Sequence, residues 1–373
     1  MTMSKIDAKL LSILSADCRF DDKIVQTLGA DDHATALVKV RNPVHLIALE
    51  RRFHVKGEYP FIRSLAIECG LKEAIALERM AEVEYVGGES KVQCLATNDK
   101  ALEQDGSLTI LSKNRLTGKG ATLCVMDTGI SFHSDLSIPK DRIVHFVDMI
   151  NGEKEPYDDN GHGTFVSGVA IGNGLLSGGK IQGVAKDASV VGIKVIEKTG
   201  ESGTFKILDG MQWLFDNFRQ YGINVVCMSF GADPLEYADP LKVGAEMLSR
   251  SGLIVVAASG NSGENNLKSP AISDEIISVG AVDKDKKIAE FTSRGKYNGV
   301  YRPDVYANGV DVAGIKTGGT YSKMSGTSAS APYVAGACCL LCEKYRNLTP
   351  KQAKSIILAA SKRINGNSVL DLE

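Results

Sequence analysis

The chain has 373 residues, 43 of them basic and 45 acidic, for a formal charge of −2. Hydrophobic residues make up 43% and charged residues 24%, which excludes disordered, collagenous and disulfide-scaffold classes. The near-neutral charge excludes a broad nucleic-acid footprint, and no apolar run approaches the roughly 18 residues that cross a bilayer, so neither nucleic acid nor membrane is an expected partner.

Ser4–Leu14 reads as a short leading helix. Ala34–Val40 reads as a strand, and Pro43–Phe53 as a helix with proline in its first turn. Tyr59–Cys69 is strand-like, Ala74, Leu77, Met80 and Ala81 recur at helical spacing, and Val83–Val86 and Lys91–Ala96 are again strand-like. With the 54–69 stretch split at Pro60–Arg63, the order is β-α-β-β-α-β, a small antiparallel α+β unit with two helices on one face. The polar stretch Asn98–Ser107 reads as a linker.

From Ala121 the texture changes. Apolar strands are expected at Ala121–Met126, Ser189–Val195, Asn224–Ser229, Leu253–Ala258 and Ile276–Val279. Helices are expected at Gly163–Ile171, Phe205–Phe218, Ala238–Ser251 and Ser328–Tyr345. Strands that are apolar on both faces and alternate with helices mean an α/β fold, a parallel sheet with helices on both faces. Active sites in such sheets lie at the carboxyl ends of the strands.

Polar residues with catalytic potential follow several of those ends. Asp127-Thr128-Gly129 comes directly after the first strand, Gly161-His162-Gly163-Thr164 opens a helix, and Gly326-Thr327-Ser328 leads to Pro332. A serine hydroxyl needs a base to take its proton, and the base needs an acid to hold its tautomer. Asn261, in Ser259-Gly260-Asn261 past a buried strand, offers an amide N–H₂ that, with the Ser328 backbone N–H, suits an oxyanion.

These four segments, in this order, resemble the subtilisin family (subtilases) of serine peptidases over roughly residues 107–365. The resemblance implies a subtilisin-like fold and a serine endopeptidase acting through an acyl-enzyme, with Asp127, His162, Ser328 and Asn261 as its catalytic residues. It implies that residues 1–96 are a ferredoxin-like propeptide, a chaperone and inhibitor bound in the cleft, and that 97–373 form the catalytic domain of a self-processing zymogen. Spacing from Asp127 puts the processing point near Leu95 or Ala96. Ser229, Phe230 and Gly231 would form one edge for an extended peptide or protein substrate, with Ser202, Gly203 and Thr204 opposite. Ala257, Ala258 and Ser259 would wall the first specificity pocket, with Lys268 near its floor or extending to solvent.

Other features read as structural. The eight cysteines include Cys339-x-x-Cys342 but no second pair at zinc spacing, and several, such as Cys124 and Cys227, sit in apolar runs as core thiols. Thiols without a paired framework point to a reducing, cytoplasmic setting. Gly174 to Lys180 nearly matches a phosphate loop but is followed by Ile181, not Ser or Thr. Asp158-Asp159 and Asp283 with Asp285 lack calcium-loop spacing, so no metal ligands are assigned. A structural calcium of the kind many subtilases hold stays open and unassigned, and no cofactor is required for the chemistry. The competing expectations are a catalytically idle peptide-binding scaffold and a peptidase dedicated to one partner; retention of all four catalytic residue types disfavours the first.

Overall fold

The computed structural model describes residues 33–101, 116–235 and 238–372. The helix expected over 4–14 and residues 102–107 of the expected linker lie outside them.

Strands β1 (His33–Val40), β2 (His54–Tyr59), β3 (Ser64–Gly70) and β4 (Val83–Gly87) form an antiparallel sheet of order β2-β3-β1-β4. Helices Val44–Glu50 and Leu71–Arg79 join β1 to β2 and β3 to β4. Strand side chains alternate between faces. Ala36, Val38 and Val40 of β1, with Leu65, Ile67 and Cys69 of β3, therefore pack on Leu46, Leu49, Ala74 and Leu77 of the helices. The opposite face, including Leu37 and Ala66, packs into the larger unit. There the Tyr59 hydroxyl donates to Asp209 at 2.9 Å, and Phe61 lies against Phe215 at 5.7 Å between ring centres.

Two strands follow, β5 (Lys91–Cys94) and β6 (Thr97–Ala101). The polarity of the 98–107 segment suggested a linker, yet its first residues belong to β6, because an edge strand needs main-chain partners and no apolar pattern.

The larger unit supplies β7 (Thr122–Asp127), β8 (Ile143–Asp148), β9 (Ser189–Lys194), β10 (Glu201–Gly203), β11 (Val225–Met228), β12 (Phe230–Gly231), β13 (Ile254–Ala258) and β14 (Ile277–Val282). It continues with β15 (Gly295–Tyr297), β16 (Val300–Arg302), β17 (Val305–Asn308), β18 (Val312–Lys316), β19 (Thr320–Ser325), β20 (Lys362–Ile364) and β21 (Asn367–Val369). Nine of these form one sheet of order β20-β21-β17-β14-β13-β11-β7-β9-β8, with every neighbouring pair parallel except β20 and β21. Leu123, Val125, Val225 and Cys227 point to one face, into a core shared with helices His162–Ile171 and Thr327–Lys344. Cys124, Met126, Val226 and Met228 point to the other, against helices Thr204–Asn217 and Pro240–Arg250. The sheet is thus an α/β layer with both faces covered. No helix among the described residues is long and apolar enough to cross a membrane.

Candidate active site

The carboxyl end of β7 and the starts of two helices meet at one point. Asp127 is the last residue of β7, His162 the first of its helix, and Ser328 the second of the helix behind it. The His162 Nδ1 and Asp127 Oδ1 atoms are 2.7 Å apart, and the Thr128 backbone N–H donates to the same oxygen at 2.7 Å. With its acceptor at Nδ1, the imidazole carries its proton there and leaves Nε2 free to act as a base.

Asp158 holds this corner together. Its carboxylate accepts from the Thr128 hydroxyl at 2.8 Å, the Gly161 N–H at 2.8 Å, and the Thr164 N–H and hydroxyl at 2.8 and 2.7 Å. The Thr128 oxygen in turn accepts from the Gly163 N–H at 2.9 Å. A Cβ at Gly163 would fall 2.2 Å from the Gly129 carbonyl oxygen, so only glycine lets the helix press on the turn after β7. The sequence marks Asp158 only as a possible calcium ligand, yet both of its oxygens are spent on protein donors. Lys194 is a second residue whose place the sequence did not indicate. Fully buried at the end of β9, it donates to the Thr128 carbonyl at 2.6 Å, the Ile196 carbonyl at 3.0 Å and Asp159 at 2.7 Å. Both side chains act on Asp127 through its neighbour Thr128.

Asn261 lies at the mouth of β13. Its Oδ1 accepts from the Thr327 N–H at 3.0 Å and the Thr327 hydroxyl at 2.9 Å, so its Nδ2 turns toward the cleft. That Nδ2 donates to the Leu95 carbonyl at 2.5 Å, and the Ser328 N–H donates to the same oxygen at 3.1 Å.

Residues 91–101 run through this cleft. Lys91, Val92 and Gln93 pair antiparallel with Gly203, Ser202 and Glu201, while Gln93 and Cys94 pair with Gly231 and Phe230. Ser202, Gly203, Phe230 and Gly231 thus stand on both sides of β5. Thr204 opens the next helix, its hydroxyl donating to the Ser90 carbonyl at 2.9 Å. The Leu95 N–H donates to the Ser229 carbonyl at 3.2 Å. Beyond Ala96, β6 pairs antiparallel with β19, Thr97 facing Ser325 and Ala101 facing Ser322. Gly326, at φ 147°, gives the passage between: a Cβ there would sit 2.4 Å from the Leu95 oxygen and 2.9 Å from the Ala96 Cα.

The Leu95 side chain is buried. A Cβ on Gly231 would lie 3.2 Å from Leu95 Cδ1 and 2.7 Å from Lys268 Cβ, so Lys268 walls the leucine's pocket. The Lys268 backbone N–H donates to the Ser259 carbonyl at 3.0 Å, and Ala257 and Ala258 end the buried strand β13. The Lys268 ammonium does not stay at the pocket floor. It reaches Asp233 at 2.6 Å, whose side chain is 88% exposed.

The seven described cysteines are unpaired. Burial pushes the thiols of Cys124, Cys227, Cys338 and Cys339 up, and that of Cys342 up to about 11, as expected for packing groups. Cys94 lies beside His162; burial raises its pKa although the imidazolium opposes the shift. For His162, burial disfavours the charged form, but the Asp127 carboxylate, with Cys94 beside it, prevails and holds the pKa well above 6.5. Of the other histidines, His133 is buried with its Nε2 at 3.2 Å from the Thr320 carbonyl, His145 stacks on Tyr221, and His54 pairs with Glu68 at 2.8 Å.

Residues 118–372 match the family model described as the subtilase family. Serine protease AprX of Bacillus subtilis (strain 168) is 36% identical over 273 residues, 65% of this chain and 61% of that protein, so the match spans under two thirds of the relative's length. An alkaline protease of Alkalihalobacillus alcalophilus is 30% identical over 311 residues, covering 82% of this chain and 77% of its own. Subtilisin DY of Bacillus licheniformis is 36% identical over 244 residues, 64% of this chain and 82% of that one. Among solved structures, a cold adapted subtilisin-like serine proteinase superposes with a TM-score of 0.60 at 25% identity, covering 74% of this chain and 95% of its own.

Proposed function

The chain belongs to the subtilase family of serine endopeptidases, and from that premise we propose that it is made as a zymogen whose residues 1–95 serve as chaperone and inhibitor and are cut away by its own active site between Leu95 and Ala96. The observation that carries this reading is the Leu95 carbonyl oxygen, which accepts from both the Ser328 N–H and Asn261 Nδ2, the donors suited to an oxyanion.

The chemistry follows from the residues. The Ser328 hydroxyl swings from the Ser229 carbonyl toward His162 Nε2, gives up its proton there, and its oxygen attacks the Leu95 carbonyl carbon. The negative charge that forms on the Leu95 oxygen is held by the two N–H donors, and Asp127 stabilises the imidazolium. The bond to Ala96 breaks as His162 returns the proton to the departing amine. Water, deprotonated by His162, then releases the acyl group and restores Ser328. Every step uses protein groups and water, so no cofactor takes part. Peptide and protein substrates follow the path of residues 91–96, added as a strand between β10 and β12 with an apolar residue in the Leu95 pocket. The seven unpaired thiols support a reducing compartment, the cytoplasm.

Intact mass tests the reading. The wild-type chain should convert to a fragment beginning at Ala96, whereas Ser328→Ala should stay whole and lose about 10⁴-fold or more in peptidase turnover. A Ser328→Ala chain that still cuts itself after Leu95 would overturn the assignment.

A further inference from the structure

The thiol of Cys94, one residue before the bond proposed for cleavage, stands in the heart of the site. Its sulfur, a ring nitrogen of His162 and a carboxylate oxygen of Asp127 lie within 4.8 Å of one another. His162 Nδ1 is already engaged by Asp127 at 2.7 Å. The other ring nitrogen, Nε2, is buried and makes no hydrogen bond, on a residue only 4% exposed. Asp127 Oδ2 is likewise buried and unpartnered. The Ser328 hydroxyl, the natural partner of Nε2, donates instead to the Ser229 carbonyl at 2.7 Å. A free imidazole nitrogen beside a thiol, with a carboxylate on the far nitrogen of the same ring, is a donor set matched to a borderline-soft divalent cation. The Asp127–His162 pair supplies the carboxylate–histidine orientation that such ligands use.

We propose that in the uncleaved chain Cys94 and His162 form a zinc site that locks the zymogen. Zn²⁺ binds the Cys94 sulfur, releasing the thiol proton to solvent, and takes the lone pair of His162 Nε2. Water completes the coordination, and Asp127 stays on Nδ1 as the partner that orients the ring. The occupied Nε2 can no longer accept the Ser328 proton, so self-cleavage stops until the metal is withdrawn. Once residues 91–95 leave the cleft, the sulfur ligand leaves with them and the mature enzyme loses the site. The brake therefore responds to available zinc. The inference rests on residues 91–96 lying in the cleft before cleavage.

The test uses full-length Ser328→Ala, which keeps the chain uncleaved, titrated with ZnCl₂ by calorimetry. One Zn²⁺ per chain should bind. Cys94→Ala or Cys94→Ser in the same background should weaken binding by more than the roughly 10–100-fold that loss of a partner outside the coordination sphere costs. With Co²⁺ as probe, a thiolate-to-metal charge-transfer band should appear and vanish in both Cys94 variants. In the otherwise wild-type chain, zinc should halt self-cleavage, EDTA should restore it, and Cys94→Ala should cleave itself regardless of zinc. No zinc bound by the uncleaved chain, or equal affinity in the Cys94 variants, overturns the inference. N-terminal sequencing of wild-type product formed in EDTA separates the two ideas. Cleavage after Leu95 without Cys94-dependent zinc binding sinks the metal site alone, and cleavage elsewhere sinks the reading beneath it.

Discussion

The hydroxyl of Ser328 donates to the carbonyl of Ser229 at 2.7 Å, and that same carbonyl also accepts the Leu95 N–H at 3.2 Å. One main-chain oxygen of the cleft edge therefore holds both Ser328 and the segment at Leu95. On the proposed mechanism, the nucleophile is parked one rotation away from its base, and the resting state with the cleft filled is not yet reactive.

The base has its own threshold. In the filled cleft burial opposes the imidazolium of His162, yet Asp127 and the adjacent Cys94 hold its pKa well above 6.5. A protonated imidazole cannot accept the serine proton, so self-cleavage should rise as the pH climbs through the raised value. Cys94→Ala removes the smaller of the two raising groups while the cleft stays filled, so self-cleavage of that variant should rise at lower pH than that of the parent chain. Rate profiles for both chains, measured in EDTA, check this, and coincident profiles would refute it.

The oxyanion donors can be separated. Asn261→Ala removes Nδ2 but leaves the Ser328 N–H, and should lower kcat by about 10²–10³-fold with KM little changed, the magnitude established for this group in subtilisin. Near-normal turnover would remove Asn261 from the site. Because Asn261 Oδ1 also holds Thr327, a modest drop in thermal stability should accompany the loss.

Asp158 should matter for both fold and rate. Replacing it by Ala leaves the Thr128 and Thr164 hydroxyls and the Gly161 and Thr164 N–H groups without acceptors in a buried corner. A loss of about 2–4 kcal/mol is expected for such an unsatisfied set, read by urea unfolding of the Ser328→Ala, Asp158→Ala chain. Turnover in the single variant should fall as well, since Asp127 and His162 lose their common brace. An unchanged unfolding midpoint would show that Asp158 braces nothing.

Specificity should turn on the Lys268–Asp233 pair. With Asp233 at 2.6 Å the ammonium is neutralised beside an apolar pocket that accepts Leu95. Asp233→Asn removes the countercharge, and peptides with Glu before the cut should gain about fivefold in kcat/KM relative to Leu peptides. A peptide-library profile that does not move would show that Lys268 takes no part in selection.

The triad positions and Asn261 were legible because each sits in a short motif at a strand end or helix start, where local sequence dictates both the turn and the chemistry. Ser202, Gly203 and Ser229 to Gly231 came from the family resemblance, and they stand on both sides of β5. The brace was not: Asp158 and Lys194 act through Thr128, and nothing in their own neighbourhoods reveals a partner 30 or 66 residues away. Residues 97–101 misled for a related reason, since their main-chain pairing with β19 leaves no apolar pattern in the sequence. The position of Lys268 in the sequence locates its backbone beside the pocket but says nothing of Asp233, 35 residues earlier. Nothing around Cys94 marks it, because its place against His162 depends on where β5 docks, a tertiary choice written in other segments.

The peptide that crosses the site is gripped on both sides of Leu95–Ala96, by β10 and β12 before it and by β19 after it. Under the proposed self-cleavage, the cut would nick a strand held on both sides of the break. Hydrolysis under such a grip would gain little entropy, and the amine of Ala96 would stay poised to attack the acyl group and remake the bond. Commitment to maturity would then belong to whichever sheet frays first, making departure of an end, and not bond scission, the step that starts the enzyme's clock.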